Sequence, residues 1–100
     1  LGVPYVWGGT SPSGFDCSGF VQYVYEHFGV NLPRVSQDQQ NFGIPVPKGE
    51  LQPGDLVFFG TPAYHVGMYI GNGKFIEAPH TGDVVKIANL GNYTSAMRVR

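Results

Sequence analysis

Only one stretch of this chain spaces its apolar residues for a helix with one buried face: Phe20, Val21, Val24, Tyr25 and Phe28 recur at helical intervals, and Gly29 follows as a left-handed stop. The spacing predicts a helix over 17–28. Everything beyond it is cut by proline and glycine into pieces too short for another long helix. "NLPR" breaks the chain, and Ser36 with Gln39 three residues on has the form of a capping box, predicting a short polar helix from Ser36 to about Asn41. "GIPVPKGELQPGD" reads as connection alone. "DLVFFG", "HVGMYIG", "KFIEAP" and "VVKIA" are short, rich in β-branched and aromatic residues, and separated by turn residues, so they predict antiparallel strands, with a last strand at Met97–Arg100. Helices first and strands after give an α+β fold with a sheet of about five strands. The first fifteen residues, dense in Gly, Pro and Ser around Tyr5 and Trp7, read as an ordered loop.

A chain of 100 residues with 42% hydrophobic side chains suffices for one domain around one core. Six basic against seven acidic residues offer neither the basic stripe nucleic acid requires nor a polybasic membrane anchor. No apolar run approaches the roughly 20 residues that span a bilayer. The opening "LGVPYVWGG" reads like the middle of a larger protein.

The one cysteine, Cys17, has no partner for an internal disulfide, so it is either buried filler or a reactive thiol. With Asp16 as N-cap, Cys17 falls on the first helical turn, where free N–H groups and the positive end of the helix dipole favour a thiolate. The same N–H groups face whatever the sulfur attacks and suit an oxyanion. Gly19 removes bulk one turn away, which would let a substrate backbone approach.

A base is needed beside it, and the chain holds His27, His65 and His80. His27 falls at the helix C-terminus, where a cation is expected for structural reasons. Asn72-Gly73 between alternating apolar residues is a strong hairpin signal. A two-residue turn there pairs Gly71 with Lys74 and, counted outward, Ile70 with Phe75 and His65 with His80, while Gly67 leaves room for a helix mouth. A three-residue loop would instead set His65 opposite Pro79. In the first register Cys17, His65 and His80 supply nucleophile, base and base-orienting group. One Cys and two His also suit zinc, but no fourth ligand stands at a telling spacing, so neither metal nor other cofactor is expected.

With "PYVWGGTSPSGFDCSGFVQYVY", "NLPRVS", "LQPGDLVFF" and "HVGMYIGNGKFIEAPH" in view, the chain resembles the NlpC/P60 family of bacterial cell-wall peptidases from Val3 to about Ile87. The resemblance implies a reduced papain-like fold, the cysteine helix packed on an antiparallel sheet. It implies a secreted endopeptidase acting in the cell wall on peptidoglycan stem peptides, cutting between γ-D-glutamate and a diamino acid (meso-diaminopimelate or L-lysine) through a thioester. By position it makes Cys17 the nucleophile, His65 the base and His80 the third polar residue, puts Tyr5 beside the oxyanion, and lines a specificity pocket with Trp7, Asp16, Ser18 and Ser36. Asp16 would meet the free amino group of an N-terminal L-alanine in members that require one. Family members usually carry a helix ahead of the Y-x-W-G-G segment, so either this sequence is trimmed or its fold lacks an outer helix; the full protein is expected to hold more sequence upstream, such as a second catalytic domain or a wall-binding domain. A wall amidase or acyl transferase using the same three residues, or a non-catalytic wall-peptide binding module, are the alternatives.

Overall fold

The structure, a computed structural model, describes residues 2–99. The helical spacing is realised as α1 (Cys17–Glu26). Asp16 caps it, its carboxylate accepting the Gly19 N–H at 2.7 Å. The helix stops at Glu26 rather than Phe28: the His27 ring turns back to the Tyr23 carbonyl, Gly29 takes φ +79°, and Phe28 is 77% exposed, so continuing would bury nothing.

The amino-terminal loop carries a small ribbon, β1 (Thr10–Ser11) with β2 (Gly14–Phe15), that folds over the start of α1. A Cβ on Gly19 would collide with the Gly9 carbonyl oxygen. The space expected for a substrate at Gly19 is thus taken by the protein's own loop, which explains why a residue of low helix propensity stands in the first turn.

The short second helix, α2 (Ser36–Gln39), starts from Val35 with no side-chain cap. The expected capping box does not form. Ser36 Oγ donates instead to the Ala63 carbonyl, and the buried Gln39 amide donates to the Ser18 and Pro33 carbonyls, joining α1 to the segment before α2. Tertiary partners outcompete the local cap.

The remaining elements are β3 (Ile44–Pro45), β4 (Leu56–Phe59), β5 (His65–Gly71), β6 (Lys74–Glu77), β7 (Lys86–Asn89) and β8 (Ser95–Arg98). Arg100, assigned from sequence to the last strand, lies outside the described residues, as does Leu1. The antiparallel sheet has six strands in the order β3-β8-β4-β5-β6-β7. It exceeds the expected five because Ile44–Pro45, within the segment read as connection, pairs with β8 at the sheet edge. Two residues and a proline give no strand signal of their own.

β4 is central. Leu56, Val57 and Phe58 are each fully buried, a contribution of about 1.5–3 kcal/mol apiece. One sheet face (Leu56, Phe58, Val66, Ala78, Met97) packs with Phe20 and Val21 of α1, and the other gathers Val57, Phe75 and Ala96. Asp55, 2% exposed just before β4, takes two hydrogen bonds at 2.9 Å from Arg98 at the end of β8.

The β5–β6 hairpin corrects the sequence reading. The two-residue turn forms, with Asn72 and Gly73 both at positive φ and Gly71 paired to Lys74. A bulge then falls between Tyr69 and Gly71, so that Tyr69 rather than Ile70 faces Phe75, and Met68 faces Ile76. One extra residue on β5 shifts the rest of the ladder and dissolves the His65–His80 pair. The space over Gly67 is filled by the Phe75 ring, which a Cβ there would strike, while α1 packs on the Val66 face.

Candidate active site

Cys17 is the first residue of α1 and is half-buried. Neither its N–H nor that of Ser18 has a protein acceptor among the described residues, as expected for a first helical turn. The thiol opens on a cleft of about 450 Å³ that also takes in Tyr5, Trp7, Asp16, Ser18 and Ser36. All the residues expected at the specificity pocket and the oxyanion are therefore brought to one place. Trp7 and Tyr64, 85% and 77% exposed, stand on its rim.

His65, the first residue of β5, holds its Nε2 2.7 Å from Oε1 of Glu77, and both side chains are largely buried. Nδ1 is then the ring nitrogen left for the thiol. Burial alone would lower the imidazole pKa, but interaction with the Cys17 sulfur and the Glu77 carboxylate outweighs it, and the pKa is raised to about 9. At neutral pH His65 is thus an imidazolium held by a carboxylate. The shifted register that separates His65 from His80 is what sets Glu77 on the same face and within reach.

His80 does not join this group. It is 71% exposed, with Nε2 3.6 Å from Asp83 and Nδ1 on the Thr81 carbonyl. Glu77 was missed in sequence because its recruitment depends on a bulge, for which Gly71 at the end of the strand was the only available hint.

The Tyr5 phenol has its pKa raised, first by burial and then by the neighbouring Cys17 and Asp16, with Arg34 opposing. It stays protonated and able to donate.

Arg34 is the second functional group that sequence reasoning overlooked. Read as part of a chain break, it instead lines the cleft and binds Asp16 through both terminal nitrogens, at 3.2 and 2.9 Å, while Nη1 also donates to Ser18 Oγ at 2.9 Å. Asp16 further accepts the Gly8 N–H at 3.1 Å, the Gly19 N–H at 2.7 Å and the Ser18 hydroxyl at 3.4 Å. Five donors already converge on Asp16, two of them from the Arg34 guanidinium, so its charge is met within the protein, whereas the resemblance assigned it to the free amine of an N-terminal L-alanine. Arg34, its side chain 37% exposed, forms part of the cleft wall.

Among the described residues no three His, Cys, Asp or Glu side chains cluster as a metal site would need, and no helix is long and apolar enough to cross a membrane.

The sequence model of the NlpC/P60 family matches residues 2–99. The chain belongs to the NlpC/P60 family. It is 43% identical to murein DD-endopeptidase MepH of Escherichia coli K12, over 99% of this chain and 42% of that protein. It is 44% identical to the gamma-D-glutamyl-L-lysine dipeptidyl-peptidase of Bacillus subtilis, over 90% of this chain and 32% of that protein. The chain thus spans less than half the length of these relatives. The NlpC/P60 domain of the peptidoglycan hydrolase SagA superposes with a TM-score of 0.93 at 38% identity, covering 99% of this chain and 89% of that one. Three further solved relatives are forms of the protein RipA altered separately at a cysteine, a histidine and a glutamate, at 35% identity and TM-scores of 0.90 to 0.92.

Proposed function

We propose that this chain is the catalytic domain of a longer peptidoglycan hydrolase, a cysteine endopeptidase acting outside the cell on wall stem peptides. The observation that carries the reading is Cys17 at a helix mouth, on a cleft with Arg34, in line with a buried His65–Glu77 pair whose imidazole feels the thiol. The third place in the line goes to Glu77 rather than His80. In RipA the altered histidine and glutamate stand twelve residues apart, the separation of His65 and Glu77 here.

The Cys17 thiolate attacks the scissile carbonyl, and the electron pair moves to the oxygen, which takes hydrogen bonds from the Cys17 N–H and the Tyr5 hydroxyl. His65, protonated and held at Nε2 by Glu77, gives its proton to the leaving amine as the C–N bond breaks, leaving a thioester. It then takes a proton from the water that attacks the thioester, becoming imidazolium again, and the C–S bond breaks to release the acid and restore the Cys17 thiolate.

The bond is read as the γ-D-glutamyl bond to a diamino acid. A γ-linked D-glutamate keeps its α-carboxylate near the scissile bond, and Arg34 on the wall of the cleft matches that anion. Because Arg34 already meets the Asp16 charge, a free amino terminus is not required, and cutting within an N-acylated stem is favoured over removal of a dipeptide. The D,D bond, for which the Escherichia coli relative is named, is the second bond to test.

Digestion of defined muropeptides of both diamino-acid types, with products weighed by mass spectrometry, tests the reading. Fragments ending in γ-D-glutamate are expected, and none with Cys17→Ala. Cleavage at a sugar–peptide amide, transfer of the acyl group to another amine, or undiminished turnover by Cys17→Ala would overturn it.

A further inference from the structure

A second depression, about 650 Å³ and larger than the cleft, lies across α2 from the thiol. Gln37 belongs to the walls of both. The floor is fixed by the protein itself. The Gln40 carboxamide donates to Gly60 O at 3.1 Å and Ser95 Oγ at 2.9 Å and accepts the Ala63 N–H at 3.1 Å, tying α2 to β8 and to the segment before His65. The same Ala63 takes the Ser36 hydroxyl through its carbonyl, so groove and cleft share one anchor.

The rim is different in kind. The side chains of Gln37, Asp38 and Thr61 make no hydrogen bond to protein among the described residues, and Asn41 uses only its Nδ2, on the Gln37 carbonyl. Pro45 and Pro62 supply apolar surface between these polar groups. One carboxylate, two amides and a hydroxyl around proline rings match a neutral ligand rich in hydroxyls: its O–H groups donate to Asp38 and to Asn41 Oδ1, an acetamido group meets Gln37 and Thr61, and a C–H face rests on the prolines.

The cleft says what such a ligand is attached to. Arg34 already meets the Asp16 charge, so the cleft has no need of a free amine and suits an N-acylated stem, and in the wall that acyl group belongs to the glycan. We infer that the groove beyond Gln37 binds an N-acetylated amino sugar of the glycan strand while the stem peptide occupies the cleft. The inference rests on the peptidase reading above.

Two substrates test it: a stem tetrapeptide acetylated at its amino terminus, and the same tetrapeptide attached to its disaccharide. The wild-type protein is expected to show a lower KM for the second. The double variant Asp38→Ala/Asn41→Ala is expected to raise the KM for the sugar-bearing substrate about five- to tenfold, the loss of one or two hydrogen bonds, leaving its kcat and both constants for the bare peptide unchanged. Equal constants for the two substrates with the wild type, or an equal loss on both with the double variant, overturn the groove and leave the peptidase standing. Cleavage of neither removes the N-acylated reading of the stem and this inference with it. The disaccharide alone, titrated into Cys17→Ala and followed by NMR, should move the backbone signals of residues 38, 41 and 61, and the double substitution should abolish those shifts. Shifts confined to Trp7 and Arg34 would place the sugar in the cleft and refute the inference.

Discussion

Replacing Glu77 by glutamine keeps the shape at His65 and removes the charge. In the native protein His65 stays protonated up to a pH of about 9 because Cys17 and Glu77 together overcome its burial. A hydrogen bond to a charged group is worth about 1.5–3 kcal/mol net, and one pKa unit corresponds to about 1.4 kcal/mol, so losing the Glu77 charge should lower the imidazole pKa by about one to two units. In the proposed mechanism the leaving amine takes its proton from the imidazolium, so the alkaline limb of the kcat/KM profile should fall from near 9 by the same amount. Stability follows the same proton. A pKa raised from 6.5 to about 9 stabilises the fold fully below pH about 6.5 and loses that contribution as pH rises through about 9, a change of the order of 3 kcal/mol. Urea unfolding at pH 6 and at pH 9.5 should show a smaller difference for Glu77→Gln than for the native protein. Initial rates across the pH range and an NMR titration of the His65 ring provide the direct measurements. An alkaline limb and ring pKa left in place by Glu77→Gln would refute the assignment of Glu77 to His65.

His80→Ala should leave kcat within about twofold of native, since an exposed ring whose partners are Asp83 and its own loop does not reach His65, and a loss as deep as that of Glu77→Gln would return it to the catalytic line. Arg34→Leu should raise KM for γ-glutamyl substrates by at least about tenfold and cost up to about 1 kcal/mol in denaturant unfolding, because it takes two of the five donors from Asp16; Arg34→Lys should recover only part, having no planar fork for two oxygens. Gly19→Ala should lower the melting temperature although alanine favours helices, because its methyl group meets the Gly9 carbonyl, and an unchanged or higher melting point would show that the loop over α1 yields freely.

Much of this was legible in the chain because local rules govern it. The period of Phe20, Val21 and Val24 needs only a helix with one dry face, and Asp16 before Cys17 needs only four unpaired N–H groups. The five expected strands and the Asn72-Gly73 turn are of the same kind. What escaped was settled by distant partners. The bulge beside Ile70 is a property of the finished sheet, and with it Glu77 replaces His80 at the base. Ser36 and Gln39 gave up a local cap for Ala63, Ser18 and Pro33, all outside the helix they were expected to cap. Arg34 sat in a segment that looked like punctuation, and its meaning came from Asp16, eighteen residues earlier.

The place of β8 decides when the sheet closes. The last described strand lies in the interior of the sheet, between β3 and β4, and Arg98 closes the charge of Asp55 forty-three residues behind it. A chain emerging amino-terminus first forms the thiol's helix early from local contacts, yet β4 keeps an unpaired, apolar edge until β8 arrives. In that interval the nascent molecule is prone to association through that edge and has no fixed frame for His65. Proteolytic loss of β8, which β4 separates from the strand of His65, would return a mature molecule to that open condition.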